Sequence, residues 1–385
     1  MSVENKVDGE YCQIHVNASG NQQTIKIFSK SGKDSTEDRR GLREAIMQSL
    51  KLGLPGSNIR RECILEGELV VYSDMEGKIL PFHKIRTHVA RRGLFLGADD
   101  DTPPQPWENL MIVFFDMLLL DGRSLLDLRH SERFKMLEET VRPIRGRAQL
   151  VSRQVIDFGH RFAVSELRKL FAKVITEKGE GLVLKPDEPY FSIRLGVQSS
   201  AGRCIKLKKE YIGAFGDVGD FAVVGAGFCA AKAKSYGIPN LQWTHFYLGC
   251  LDNKEQVQRW KVTPEFTVVG VVELNATQLR AMRTCSNLLP VPRSENSDTK
   301  FRVPRGIETN PPLSLAFRNP PVFDLRCFSF DKPGNTGFWT LRFPYVSKIH
   351  FDRDFLQTVS FEELQSMARD ATAAPEMEDS QENLA

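Results

Sequence analysis

Lys6-Val7-Asp8-Gly9 and Lys206-Leu207-Lys208-Lys209 hold the residues of this chain best suited to covalent chemistry. A lysine amine is a nucleophile only after losing its proton, and the free side chain titrates at about 10.4. Burial and neighbouring cations lower that value. Gly9 lets the backbone turn and lets a ligand approach closely, and Asp8 can fix the turn through its own backbone. Lys206 and Lys208 alternate along a strand, so both point to one face. Together the two runs suggest a lysine that attacks the α-phosphate of a nucleotide and a cationic strand that holds that phosphate. Taken singly, each also suits a blander role: a solvated hairpin lysine and an exposed basic strand.

Between them stand Leu65-Glu66-Gly67-Glu68-Leu69, Phe114-Phe115-Asp116 and Glu180-Gly181-Leu182-Val183-Leu184-Lys185. Regular elements must carry these residues. Tyr11 to Phe28 alternates as a hairpin around Asn17-Ala18-Ser19-Gly20. Arg40 to Leu52 has helical spacing and stops at Gly53-Leu54-Pro55-Gly56. Ile64 to Tyr72 and Met111 to Leu120 read as strands, the second ending at the turn Asp121-Gly122. Ser131 to Val141 and Ser165 to Thr176 read as helices, and Leu182 to Lys185 as a short strand.

After Tyr211 the texture changes to short strands: Phe221 to Val224, His245 to Leu251, Thr267 to Glu273, Val322 to Phe328 and Thr340 to Phe343. One helix, Ala276 to Arg283, intervenes. Many short strands with turn residues suggest a small β-barrel. Pro290 to Pro321 is proline-rich and reads as a loop insertion. Ser360-Phe361-Glu362-Glu363 is a capping-box pattern that opens a final helix.

A chain of 385 residues with 41% apolar residues has enough material for two or three packed domains. No apolar run reaches membrane-spanning length, and the first residues lack the pattern of a signal peptide. Seven cysteines are scattered, with no Cys-x-x-Cys pair. That excludes a disulfide scaffold or structural zinc as the expectation, and favours a reducing compartment. The net charge of +3 includes an acidic tail (Glu376, Glu378, Asp379, Glu382) without Lys or Arg, so the body is more basic than the total suggests. A basic body suits a polyanionic partner.

In that order and at those distances, the runs resemble the five nucleotide-binding motifs of the covalent nucleotidyltransferases. Within that superfamily the chain is similar to ATP-dependent DNA ligases, closest to eukaryotic DNA ligase IV and fungal relatives. The resemblance runs from residue 4 to about residue 367. It implies an α+β fold: an adenylation domain of antiparallel sheets with flanking helices over 1–211, then an OB-fold β-barrel over 212–356 with the Pro-rich insertion near 290–321. A C-terminal helix over 357–370 and a disordered acidic tail over 371–385 complete the expectation. The resemblance further implies that Lys6 takes AMP from ATP, with Asp8 and Gly9 shaping its turn. Glu4 then reads the adenine amino group, Glu68 meets the ribose or a metal, and Phe115 stacks on adenine. Glu180 helps hold Mg2+, Lys185 closes the fourth motif, and Lys206 and Lys208 neutralise phosphate. Lys30 stands where ligases prefer arginine. Gly219 to Gly225 resembles the first strand of the OB domain. Arg342, Asp352 and Arg353 fall in the sixth motif, which orients the pyrophosphate leaving group. Broken or nicked duplex DNA as partner, a repair scaffold protein, no membrane, and a nuclear location follow from the same resemblance.

The chain departs from the pattern at Lys30, at Arg353, where lysine is usual, and at four further places. Tyr11, Tyr345 and His350 stand where arginines are usual, and Cys204 stands where tryptophan is usual. An Arg-to-His exchange loses a fixed charge and a bidentate fork. Two alternatives therefore stay open: a degenerate DNA-end-binding module that no longer ligates, and an RNA ligase or capping guanylyltransferase.

Overall fold

The computed structural model describes residues 1–19, 23–89, 104–177, 179–189, 204–208, 217–284, 288–304, 307, 311–332 and 337–373. The chain divides into two compact units, Met1–Gly97 with Asp101–Lys209, and Glu210–Pro375. The expected boundary at 211–212 lies outside the described residues.

The first unit contains β1 (Ser2–Asn5), β2 (Glu10–Asn17), β3 (Thr24–Phe28), β4 (Glu62–Ser73), β5 (Glu108–Leu120), β6 (Ala148–Leu150), β7 (Arg153–Val155), β8 (Gly181–Lys185) and β9 (Ile205–Lys208). Its longer helices are α1 (Arg43–Ser49), α2 (His130–Thr140) and α3 (Ala163–Thr176). One antiparallel sheet has the order β9-β8-β1-β7. A second runs β3-β2-β4-β5 antiparallel, with β6 parallel to β5. Residues 6–9 link β1 of the first sheet to β2 of the second.

Alternation explains the second sheet. Cys12, Ile14 and Val16 of β2 and Ile25 and Ile27 of β3 are buried, and their neighbours along each strand are more exposed. That face packs with Leu42, Ile46, Phe134 and Leu137 in one core. The first sheet closes on a smaller core in which Val3, Leu182 and Leu184 meet Ile156, Ala163 and Val174. Helix α1 is shorter than its pattern predicts. A 3-10 turn occupies Arg40–Leu42, and the chain enters the left-handed region at Lys51 (φ 50°) and Gly53 (φ 73°), which ends the helix.

Arg133 and Asp116 form a charged pair inside this unit. Arg133 donates from Nε and Nη2 to the two oxygens of Asp116, both at 2.9 Å, and each side chain is 1% exposed. Burial opposes ionisation of Asp116, but the bonds from Arg133 and the nearby Lys185 hold its carboxyl below the usual range. Removing one partner of such a pair strands a buried charge and costs about 3–5 kcal/mol. Asp116→Ala is therefore expected to lower the urea unfolding midpoint sharply, and Asp116→Ala with Arg133→Leu to recover much of the loss. A single variant as stable as the parent would contradict this account.

In the second unit five strands lie in the order Glu265–Val272, His245–Leu251, Asp217–Gly227, Val322–Arg326 and Tyr345–His350, all antiparallel to their neighbours. Phe221, Phe246, Phe266, Phe317 and Phe323 fill its core. The Pro290 to Pro321 segment is more than the loop its composition suggests. Leu315–Phe317 pairs with Asp217–Gly227, Pro290–Pro292 pairs with Leu315–Phe317, and Lys300–Arg302 runs parallel to Glu265–Val272. Proline is tolerated there because it lies on an edge strand.

Helices Ala230–Tyr236 and Lys254–Trp260 are additional to the expected one, and both are too short to show periodicity. Strand Tyr345–His350 is also additional. Among the described residues, Thr340–Arg342 pairs only with Ser329–Asp331. The Ser360 capping box forms as expected: Ser360 N donates to Glu363 Oε2 at 2.7 Å, and Glu363 N donates to Ser360 Oγ at 3.2 Å. The helix it opens spans Phe361–Ala373, past the expected end at 370, and Phe355–Gln357 is a separate 3-10 turn. Residues 374–385 of the acidic tail lie outside the described residues.

Candidate active site

The link between the two sheets carries Lys6 to the carboxylate of Glu180. Lys6 N donates to Gly181 O at 2.8 Å, which pins the backbone beside the start of β8. Lys6 Nζ then donates to Glu180 Oε2, while Lys208 Nζ stands 3.5 Å from Glu180 Oε1. Glu180 is 4% exposed and the two lysines about a fifth exposed. One buried carboxylate thus bridges two cations, one of which is the candidate nucleophile. Lys206 pairs in register with Val183 and Lys208 with Gly181.

Two glycines make this convergence possible. Gly181 adopts φ +139°, and a Cβ there would stand 2.0 Å from Leu207 O, so only glycine lets β9 approach. A Cβ on Gly9 would stand 2.3 Å from Leu69 O and 2.7 Å from Glu68 Cγ. The close approach that Gly9 permits is therefore to β4, where the sequence reading expected a ligand. It brings Glu68 under the lysine link.

Glu68 is the titratable centre of the site. Burial pushes its carboxyl up to about 7; Glu180 and Asp8 push the same way, while Lys6 and Lys206 oppose them. Its folded pKa therefore lies above the usual glutamate value of 4.5. The folded protein holds a proton that the unfolded chain releases, so this contribution to stability is full below 4.5 and is lost as pH rises towards 7. The stability difference between parent and Glu68→Gln is expected to fall across that window and to level off above it. Thermal melts of both proteins across this range check it, and a difference independent of pH would refute it.

A divalent cation suits these residues. Two carboxylates, Glu68 and Glu180, stand near Lys6. Among the described residues no group of three or more His, Cys, Asp or Glu side chains could hold a metal alone. Magnesium usually takes one or two carboxylates and completes its shell with water and phosphate oxygens, and that is the donor set present.

The neighbouring pocket residues also converge. Glu4 is 2% exposed. Its Oε2 forms an ion pair with Lys185 Nζ at 2.8 Å, and Oε1 accepts from Ser2 Oγ at 3.2 Å. His130 Nε2 stands 3.2 Å from Oε1 but out of line for a hydrogen bond. Glu4 is thus already held by protein groups. Lys185 Nζ also donates to Phe115 O at 3.1 Å and lies 4.7 Å from the Phe115 ring centroid. Tyr11 packs 6.3 Å from the same ring and donates to Glu66. Burial and that bond push its phenol far above its usual range, so it stays a neutral donor. Arg39 fixes the backbone behind it, donating to Tyr11 O at 2.9 Å and Glu10 Oε2 at 2.9 Å.

Lys30 is exposed on the turn after β3. Arg342, Asp352 and Arg353 belong to the second unit. The Arg342 guanidinium lies 4.9 Å from the Phe343 ring centroid and 5.5 Å from that of Phe328. Arg353 donates to Asp220, and Asp352 is 87% exposed. His350 is buried between Asp220 Oδ1 at 3.6 Å and Asp352 Oδ1 at 3.8 Å.

Sequence reasoning missed His130, Arg133, Arg39 and Asp220. Arg133 carries a signal: it stands beside Phe134 on the apolar stripe of α2, where a charge needs a partner. The others have none, because their partners come from distant segments.

Residues 1–200 match the family model described as ATP dependent DNA ligase domain. DNA ligase 4 of Yarrowia lipolytica is 30% identical over 241 residues, 60% of this chain and 23% of that protein. DNA ligase 3 of Dictyostelium discoideum is 24% identical over 378 residues, 97% of this chain and 28% of that protein. DNA ligase 2 of Korarchaeum cryptofilum is 33% identical over 235 residues, 61% of this chain and 35% of that protein. The chain spans 23–35% of the length of these relatives. Among solved structures, mycobacterial DNA ligase D complexed with ATP and MES aligns over 93% of this chain and 92% of its own, at 17% identity and a TM-score of 0.38.

Proposed function

This chain belongs to the family of ATP-dependent DNA ligase domains, and we propose that it is a ligase catalytic core that seals DNA breaks through an AMP group carried on Lys6. The observation that carries this reading is the contact of Lys6 Nζ with the buried carboxylate of Glu180, with Lys208 on the other oxygen. An amine, a buried carboxylate and a second ammonium in contact support the roles of nucleophile, proton acceptor and phosphate-binding cation.

The chemistry proceeds in three displacements. Lys6 Nζ gives up its proton to Glu180 and bonds to the α-phosphorus of ATP as the bond to pyrophosphate breaks. A DNA 5′-phosphate oxygen then takes AMP from Lys6, which leaves as the amine. A DNA 3′-hydroxyl finally attacks that 5′-phosphate and AMP leaves. Lys206 and Lys208 lie on the strand facing Glu180 and neutralise the phosphate on which charge builds. Phe115 offers a stacking face to the base. Glu68 and Glu180 would hold a magnesium ion, which would neutralise further charge on the phosphate. The second unit we read as an OB-fold barrel, a reading its five-strand path supports, with Arg342, Asp352 and Arg353 acting on the pyrophosphate.

Mass spectrometry of the protein incubated with ATP and magnesium tests the reading, together with sealing of nicked duplex DNA. A covalent AMP on Lys6 and sealed product are expected. The end-binding-module reading draws on one observation: Tyr11 stands in place of an arginine, and its hydroxyl is committed to Glu66. DNA binding without any AMP adduct would favour that module. An adduct formed from GTP in preference to ATP would favour the guanylyltransferase. A repair scaffold partner and a nuclear location belong to the same proposal, and affinity capture and cell fractionation check them. Among the described residues no helix is long and apolar enough to cross a membrane.

A further inference from the structure

Asp220 has no place in the three displacements, yet Arg353 and His350 of the sixth-motif segment converge on it. Arg353 Nη1 donates to its Oδ2, and His350 Nε2 stands 3.6 Å from its Oδ1. The aspartate is firmly placed. It sits inside the strand Asp217–Gly227, opposite Asp324 of Val322–Arg326, and its carbonyl accepts from Val359 N at 2.9 Å. Strand Tyr345–His350 is the next one over, opposite Val322–Arg326. The Asp220 side chain thus reaches past the intervening strand to His350 and the residues that follow it. Its own side chain is 19% exposed, whereas Arg353 remains 41% exposed.

That asymmetry suits a support and not a partner of equal standing. A guanidinium carries five N–H donors in a fixed fork, more than one carboxylate oxygen can use. With one end held by Asp220, the rest of the fork is open to an anion from solvent. Asp352 follows His350 by two residues and is 87% exposed, with Oδ1 3.8 Å from His350 Nδ1. The same carboxylate therefore steers Arg353 directly and Asp352 through His350.

We propose that Asp220 is a positioning residue for self-adenylation: it holds Arg353 and His350 so that the sixth-motif segment presents its charges to the pyrophosphate of ATP. The inference rests on the ligase reading above, and on the sixth motif acting in the first displacement only. A misplaced group of this kind can cost a reaction on the order of a hundredfold.

The test uses the full chain and measures two rates separately. One is single-turnover formation of the AMP adduct from ATP; the other is sealing of DNA nicks that already carry AMP. Asp220→Ala should slow adduct formation by roughly ten- to a hundredfold and leave sealing of pre-adenylated nicks close to the parent rate. That second rate depends on the same fold, so a general loss of structure would lower both. In an Arg353→Ala background, Asp220→Ala should add little further loss, because its main contact is already gone. Asp220→Glu, which restores a carboxylate, should recover part of the rate. Should Asp220→Ala fail to fold, Asp220→Asn keeps the shape, loses the charge and should show the same step-selective loss in smaller degree. Equal loss in both steps, or full additivity with Arg353→Ala, would make Asp220 merely structural and overturn the inference. A parent that adenylates Lys6 alongside an Asp220→Ala that does so equally fast overturns the inference alone. A parent that forms no adduct overturns the ligase reading, and the inference with it.

Discussion

Lys6→Ala is expected to carry no AMP after incubation with ATP and magnesium, while the parent carries it on that one side chain. The expectation is absolute because the adduct is a covalent bond to Lys6 Nζ. Lys208 is a rival amine: its Nζ lies 3.5 Å from Oε1 of the same Glu180 that Lys6 contacts. It sits on β9, however, and lacks the link that carries Lys6 between the sheets. Lys6→Arg should be equally inactive, since a guanidinium stays protonated and cannot act as the nucleophile. Both variants keep enough of the fold to be informative, because Glu180 retains Lys208. Intact mass and peptide mapping read the result directly. An adduct that persists in Lys6→Ala would place the nucleophile elsewhere and undo the assignment of the site.

Glu180→Ala has the second largest expected effect. Its carboxylate accepts from Lys6, lies against Lys208 and shares the candidate metal position with Glu68. Its removal takes away the proton acceptor and leaves two ammonium groups without their shared counter-charge. Loss of a single group that stabilises developing charge typically costs 10²–10³ in rate, about 3–4 kcal/mol. Single-turnover adduct formation and sealing of pre-adenylated nicks should both fall by about that factor, since phosphate chemistry passes the same carboxylate in each. Lys208→Ala should also slow both steps, by less, because Lys206 remains on the strand. This pattern is the opposite of the Asp220 variant, where only the first step suffers. If Glu180→Ala adenylates and seals at the parent rate, the cluster around Lys6 is not where the chemistry occurs.

Much of the framework was legible because it depends on local pattern. The alternation in β2 and β3, the apolar run of β5 and the Ser360 capping box each express a rule that acts within a few residues. Element ends were less legible. The helix over 40–52 stops early because the backbone turns left-handed at Lys51, a residue with no glycine-like signal. The Pro290–Pro321 stretch reads as a loop, yet it adds strands to the second unit. Short edge strands with proline carry too little pattern, and only their partners in the sheet select them.

For the site itself, the sequence by itself determined which residues are chemically capable: an amine at Lys6, carboxylates at Glu68 and Glu180, and alternating cations at Lys206 and Lys208. It also supplied two glycines. What these do to one another depends on contacts that folding creates. Lys6 meets Glu180 because the link between two sheets passes the start of β8. Gly9 is required by the backbone of β4 and Gly181 by that of β9. Glu68 titrates near 7 because burial beside Glu180 and Asp8 outweighs Lys6 and Lys206. Glu4 is engaged by Lys185, and Arg353 by Asp220. Each of these is a through-space interaction between segments distant in the chain. Its strength falls with distance and rises with burial, and neither quantity exists until the chain has folded.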